Sequence, residues 1–289
     1  MTFSHKTTGP AVVVTGAGSG IGHAVTRALL SRGHRVFGSA ISPEEAATLQ
    51  SDLGEGLVPF VMDVREEADV QAAAERVAAQ LAGQPLKALL NIAGVTVNGP
   101  LVDLTAREFQ NLLAVNLVGV HNVTRAFLPQ LRAGSGARVV VLSSASGRRT
   151  MPFTGAYGPS KFAIESLTAV MRMEFAPFGV HVAVIAPGPI DTPMAARIQE
   201  ELAVEPSIAV YREPLRRFRQ ASRKSFAEGI PIEKVVATIV EAVESPKPRR
   251  RYELHQNFLR DVVLMRMLPT GWREAIVRRR LALNPLQTP

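Results

Sequence analysis

Two hydrophobic patterns alternate along this chain. Short runs that are apolar at nearly every position mark strands buried on both faces of a parallel sheet. They recur at 11–14 (Ala-Val-Val-Val), 35–40, 57–62, 88–90, 138–142 (Arg-Val-Val-Val-Leu) and 180–185. Between them apolar residues fall three and four apart, the spacing of an amphipathic helix. Ala24, Val25, Ala28 and Leu29 follow the first run and stop at Gly33, and Pro43-Glu44-Glu45 starts a second helix. A third covers 67–81. Thr105, with Glu108 in capping-box position, opens a long helix carrying Leu112, Leu113 and Val115, then the polar Asn116. Phe162, Ile164, Leu167, Val170 and Met171 mark another, and 232–243 a later one ahead of a last strand at 249–254. Such alternation predicts an α/β fold, a doubly wound sheet whose ligand crevice lies at the carboxyl ends of the strands.

The pattern breaks up over 194–230, as a substrate-covering loop and helices would. There Tyr211, Leu215 and Phe218 are candidates to face inward, among Arg212, Arg216, Arg217, Arg219, Arg223 and Lys224. These cations form either a solvated face or a patch for an acidic substrate group. Near the end Phe258, Leu259, Val262, Val263, Met265 and Leu268 form an apolar stripe ahead of Trp272 and Arg278-Arg279-Arg280. That segment caps the pocket or packs an interface; a membrane-surface contact is the weaker reading.

The 289 residues suffice for one large α/β domain or two small ones. Without cysteine, disulfides, thiolate chemistry and cysteine-bound zinc are excluded, a reducing compartment is permitted, and no metal site is expected. No signal-type start and no membrane-length apolar run is found, so a cytoplasmic protein is expected. The net charge of +8 is local: residues 212–280 hold 17 Lys or Arg against 8 Asp or Glu, while the remainder is near balance. No nucleic-acid motif or aromatic platform accompanies it, so nucleic acid is not expected as a partner.

The chemistry gathers where strands end. The first strand runs into Thr15-Gly16-Ala17-Gly18-Ser19-Gly20-Ile21-Gly22 and then a helix. Such a turn lets backbone approach a pyrophosphate, and the helix end presents free N–H groups. The spacing is Gly-x3-Gly-x-Gly, with Ile21 where the usual G-x-G-x-x-G pattern needs glycine. At the second strand's end an acid would bind ribose hydroxyls and a base would favour a 2′-phosphate; Ala40 and Ile41 supply neither, leaving NAD and NADP open. Asp63-Val64 closes the third strand, with Asp63 placed either to meet an adenine amino group or to cap the next helix. Asn91-Ile92-Ala93-Gly94 follows the fourth, its small residues suiting a backbone close to a ribose. Pro187-Gly188-Pro189-Ile190-Asp191-Thr192 follows the sixth, a rigid turn that would offer backbone and the Thr192 hydroxyl to a nicotinamide amide. Ser144 sits at the exit of the fifth strand, and Tyr157 and Lys161 lie one helical turn apart on the same face. A fixed ammonium there would lower the phenol's pKa and let Tyr157 act as acid or base, with the Ser144 hydroxyl holding the same substrate oxygen.

Taken together these residues resemble a short-chain dehydrogenase/reductase. The matches are Thr15-Gly-x3-Gly-Ile-Gly22, Asp63, Asn91-x-Ala-Gly94, Asn116, Ser144, Tyr157-x3-Lys161 and Pro187-Gly188 through Thr192, in the family's order and spacing over about 11–194. Ile92 departs from the second asparagine common there. The resemblance implies a Rossmann-type, mainly parallel seven-stranded sheet as a single domain over 1–289. Within that domain the broken pattern of 194–230 is read as a variable substrate-binding loop and helices, and 255–289 as a C-terminal helical extension. It also implies Tyr157 as acid/base, Lys161 on the cofactor ribose and lowering the tyrosine pKa, Ser144 orienting substrate, and Asn116 holding a proton-relay water. Finer echoes in 35–42, 179–182 and Leu268-Pro269 resemble the retinol, 17β-hydroxysteroid and 3-hydroxybutyrate dehydrogenase branch. That branch favours NAD and an apolar alcohol or ketone, in a homodimer or homotetramer. The alternative is a catalytically silent dinucleotide-binding sensor or scaffold, docking a partner or membrane surface through its basic C-terminal region.

Overall fold

Seven strands lie in the order β3-β2-β1-β4-β5-β6-β7. They are β1 (Ala11–Val14), β2 (Arg35–Ala40), β3 (Leu57–Val61), β4 (Leu86–Asn91), β5 (Arg138–Leu142), β6 (His181–Pro187) and β7 (Arg251–Leu254). Every neighbouring pair is parallel, so the sheet is wholly rather than mainly parallel. The computed structural model describes residues 9–256 and 267–284.

The sheet is built by runs buried on both faces. Val13, Leu89, Val139 and Val141 point to one side, against Val70 and Val77, Val123 and Phe127, and Ile164 and Met171. Val12, Val14, Leu90 and Val140 point to the other, against Val25 and Leu29, Leu49, and Val235 and Ile239. The first face is thus covered by α3 (Glu67–Leu81), α5 (Gly119–Arg132) and α6 (Tyr157–Glu174). The second is covered by α1 (Gly20–Ser31), α2 (Pro43–Leu53) and α9 (Ile232–Glu244). Strand order reverses between β1 and β4, which places the crevice there.

Two helical readings need correction. The long helix begins at Thr105 with the full capping box to Glu108, but α4 (Ala106–Leu113) passes through a π turn, Ala114–Val118, before α5. On α6, Ile164 and Met171 enter the core, whereas Phe162 and Val170 are 43% and 40% exposed.

A smaller cluster forms beyond the sheet. Phe153, Leu202, Leu215 and Leu281 are buried together, with Tyr211, Phe218 and Val277 packed on them. They join α7 (Pro193–Glu201), α8 (Arg212–Ala227) and α10 (Thr270–Leu281). The stripe from Phe258 to Met265 lies outside the described residues. No described helix is long and apolar enough to cross a membrane.

Candidate active site

The glycine turn is locked to its neighbours from below and open above. The Thr15 hydroxyl accepts from the Ile92 and Ala93 N–H groups at 3.0 and 3.1 Å, tying the exit of β1 to that of β4. Gly16 (φ +66°) needs its missing side chain: a Cβ would sit 2.9 Å from Ala93 Cα. Its N–H donates to Ser39 Oγ at 3.1 Å. Around Gly20 a Cβ would meet only Pro193 Cδ, at 4.0 Å, so there is room over the turn. Ser19 occupies the N-cap of α1 in extended conformation with no side-chain cap bond, and the first-turn N–H groups at Gly20, Ile21 and Gly22 have no intrahelical acceptor. These are the features a pyrophosphate requires.

Along the rest of the cleft the predicted residues divide. Asp63 accepts from the Arg65 backbone N–H at 2.9 Å and from its guanidinium. That hydrogen-bonded guanidinium holds the Asp63 carboxyl below the ordinary carboxylate range, against a partial burial that would raise it. Asp63 does not cap α3, whose N-cap is Glu66. Val64 is buried beside Gly119, where a Cβ would come within 2.7 Å of Val64 Cγ2. The Asn91 amide turns away to donate to Thr124 Oγ1 at 3.0 Å, so only its backbone belongs to the cleft side of β4. Ala93 and Gly94 do line it: a Cβ on Gly94 would lie 3.4 Å from Asn116 Oδ1 and 4.0 Å from Lys161 Nζ.

Those two side chains lead to the reacting end. Asn116, 1% exposed within the π turn, accepts from Val95 N–H at 2.9 Å. Its amide donates to Val95 O at 3.0 Å and Ser160 Oγ at 3.2 Å. Lys161 Nζ donates to Leu142 O, at the end of β5, at 2.9 Å and stands 5.5 Å from the Tyr157 ring centre. Ser144 follows β5 in extended conformation, its hydroxyl accepting from Ser146 N–H at 3.1 Å. Tyr157 is the first residue of α6.

Electrostatics here differ from the simple expectation of an acidified phenol. Burial raises the Tyr157 pKa above its usual value, and the opposing pull is a hydrogen bond with Ser144, not Lys161. Lys161 is itself pushed down to about 8 by burial, with Glu165 partly opposing. For Tyr157 desolvation outweighs the Ser144 hydrogen bond. The phenol is therefore protonated at neutral pH.

The turn after β6 forms the far wall. Gly188 N–H donates to Leu254 O and Ile230 N–H to Pro189 O, both at 2.8 Å. Ile190 is buried, and Thr192 stands at the N-cap of α7 without a side-chain cap bond. Beyond it α7 is fastened to the loop after β4, where Glu201 accepts from Asn98 N–H and Nδ2 at 2.9 and 2.8 Å. Tyr211, Leu215 and Phe218 do turn inward. Arg212, Arg216, Arg217 and Lys224 stay on the surface paired with Glu205, Glu213 and Glu228, which is the solvated-face reading. Ser39 and Ser160 lie outside the predicted site residues, and Thr15 entered only as the first position of the glycine motif, without its hydroxyl's role. The one sequence signal of Ser39 and Ser160 is a hydroxyl inside an apolar strand or one residue before Lys161.

A glycine turn at the switch point of a parallel sheet, with serine, tyrosine, lysine and asparagine converging beside it, defines a dinucleotide-dependent enzyme of the Rossmann class. The family model for short chain dehydrogenases matches residues 10–203, and the chain belongs to that family, as an oxidoreductase using a nicotinamide dinucleotide. Rat retinol dehydrogenase 7 is 30% identical over 280 residues, 92% of this chain and 87% of the rat protein. The NADPH-dependent 3-dehydrocapnine reductase of Ornithobacterium rhinotracheale is 30% identical over 262 residues, 89% of this chain and 92% of that protein. Mouse short-chain dehydrogenase/reductase family 9C member 7 is 38% identical over a shorter stretch of 178 residues, 61% of this chain and 56% of the mouse protein. Among solved structures, a short chain dehydrogenase/reductase from Burkholderia phymatum in complex with NAD superposes with a TM-score of 0.75 at 25% identity, covering 97% of this chain and 98% of that one. One from Burkholderia cenocepacia in complex with NADP gives 0.70 at 25%, covering 96% and 98%.

Proposed function

We propose that this enzyme interconverts a secondary alcohol and a ketone, with Tyr157 moving the proton and Ser144 holding the substrate oxygen. The observation that carries this is the convergence of Ser144, Tyr157, Lys161 and Asn116 at the ends of β4 and β5, beside the glycine turn. Gly16, Gly18, Ser19, Gly20, Ile21 and Gly22 would hold the pyrophosphate, and Asp63 and Val64 the adenine. Asn91 (through its backbone), Ala93, Gly94 and Lys161 would meet the ribose side, and Pro187, Gly188, Ile190 and Thr192 the carboxamide. Bound there, the nicotinamide supplies or takes up the hydride. Tyr157 Oη gives its proton to the carbonyl oxygen as the carbon is reduced, and takes it back from the alcohol in the reverse direction. A phenol kept protonated by burial suits the reductive direction. Asn116, bonded to Val95 and Ser160, would orient a water that refills Lys161 and Tyr157.

An apolar, steroid- or retinoid-like substrate is supported by Phe153, Tyr211 and Phe218 packing beside the catalytic loop and by the likeness to a retinol dehydrogenase. NAD is favoured by the uncharged end of β2. A homodimer or homotetramer is supported by the exposed Phe162 and Val170 of α6; sedimentation as a monomer would remove it. The absence of cysteine is compatible with a cytoplasmic setting. Tyr157→Phe should lower turnover at least ~100-fold while leaving dinucleotide binding within a few-fold, measured by nicotinamide absorbance over a panel of apolar and polar ketones. Undiminished turnover would remove the tyrosine from the mechanism. Tight binding with no turnover on any substrate would favour the sensor or scaffold.

A further inference from the structure

The slot at the end of β2 that usually carries an acid or a base holds Ala40 and Ile41, yet a carboxylate reaches the same place from elsewhere. Glu45 lies in the first turn of α2, and its side chain folds back over the strand end. Glu45 Oε2 accepts from the Ile41 N–H at 2.6 Å. Its other oxygen lies against the glycine turn: a Cβ on Gly18 would fall 1.9 Å from Glu45 Oε1. The backbone there is fixed, since Ala17 N–H donates to Ser39 O at 2.9 Å and Ser42 Oγ caps the Glu45 N–H at 3.2 Å. Capping alone would require one carboxylate oxygen, and Oε2 already serves that purpose at Ile41. Oε1 is left beside Gly18, in the turn assigned above to the pyrophosphate and next to where the adenosine ribose joined to it would lie.

We infer that Glu45 is the specificity-determining residue for the cofactor, accepting the adenosine ribose hydroxyls of NAD and repelling the 2′-phosphate of NADP. This rests on the reading of the cleft as a nicotinamide dinucleotide site. A carboxylate is an acceptor only, matched to a diol and mismatched to a phosphate dianion. Residues 39–45, Ser-Ala-Ile-Ser-Pro-Glu-Glu, contain no Lys or Arg to offset it. Arg65, at the end of neighbouring β3, is engaged by Asp63. The fold does not decide the matter, because structures holding NAD and NADP superpose on it about equally well.

Dissociation constants for NADH and NADPH, read from nicotinamide fluorescence without substrate, test this. The wild-type protein should favour NADH by more than about tenfold. Glu45→Gln keeps an acceptor for Ile41 N–H and should narrow that ratio by about tenfold, mainly by tightening NADPH. Ile41→Arg, at an exposed position, should also tighten NADPH and reports independently should Glu45→Gln fold poorly by circular dichroism. A wild-type preference for NADPH, or an unchanged ratio in a folded Glu45→Gln protein that binds both, overturns the role of Glu45 alone. Failure of the wild-type protein to bind either nucleotide overturns the dinucleotide site and this inference with it.

Discussion

Lys161 shows how a single buried amine links stability to chemistry. Its folded pKa is about 8 against 10.5 when free, so between those values the unfolded chain binds more protons. Stability must then rise with pH across that window, and below it the full cost of burying the charge is present. Lys161→Met never carries that cost. The stability gap between variant and wild type should therefore move in favour of wild type as pH climbs from about 8 to 10.5, read from paired urea titrations. A gap flat with pH would show that the amine is not desolvated. Single residues also mark the limits of motif reading. Ser144, Tyr157 and Lys161 could be placed because strand exit and helical spacing put them on one face. Asn91 could not, because which way an amide points after a buried strand depends on Thr124, 33 positions away. The hydroxyl that ties β1 to β4 belongs to Thr15 instead.

Elements were legible where a period was clean. Six of the seven strands announce themselves as apolar runs, whereas β7, Arg-Tyr-Glu-Leu, alternates buried and half-buried positions; the capping box at Thr105 fixes one helix start. The π turn at Ala114–Val118 does not announce itself, since one extra residue in a turn barely disturbs the apolar spacing. It is nonetheless what aims Asn116 at Val95 and Ser160. Contacts between distant elements were equally hidden. Glu244, closing α9, is bonded by Arg32 at the end of α1 and by His34. Its pKa falls to about 2, chiefly through the Arg32 hydrogen bond. A carboxylate with a depressed pKa contributes above its unfolded value and loses that contribution as pH drops. Glu244→Gln should thus destabilise the protein by about 1 kcal/mol at neutral pH, the partners being partly solvent-screened. The difference should shrink below pH 4.5 in guanidinium titrations; a pH-independent difference would point to packing.

At the scale of the molecule, the loop between Ser144 and Tyr157 is held by residues from the far end of the chain. Phe153 is buried with a left-handed backbone (φ 62°), a conformation costly for an aromatic residue. Ring contacts to Tyr211 and Phe218, at centroid distances of 6.1 and 5.7 Å, offset that cost. Phe153→Ala should lower stability by about 3 kcal/mol and depress kcat more than nucleotide affinity, because the loop positions Tyr157. Urea unfolding with steady-state kinetics checks this, and loss of nucleotide affinity without loss of kcat would refute it. By itself the sequence determined the sheet, the flanking helices and the motif positions, because burial periodicity and glycine backbone freedom are local properties written residue by residue. Only the tertiary structure decided the direction of the Tyr157 pKa, the turning away of Asn91, the return of Glu45 over Gly18 and the joining of Leu281 of α10 to the cluster around Phe153. Each depends on desolvation or on contact between residues distant in the chain or on separate elements, and neither is encoded in spacing.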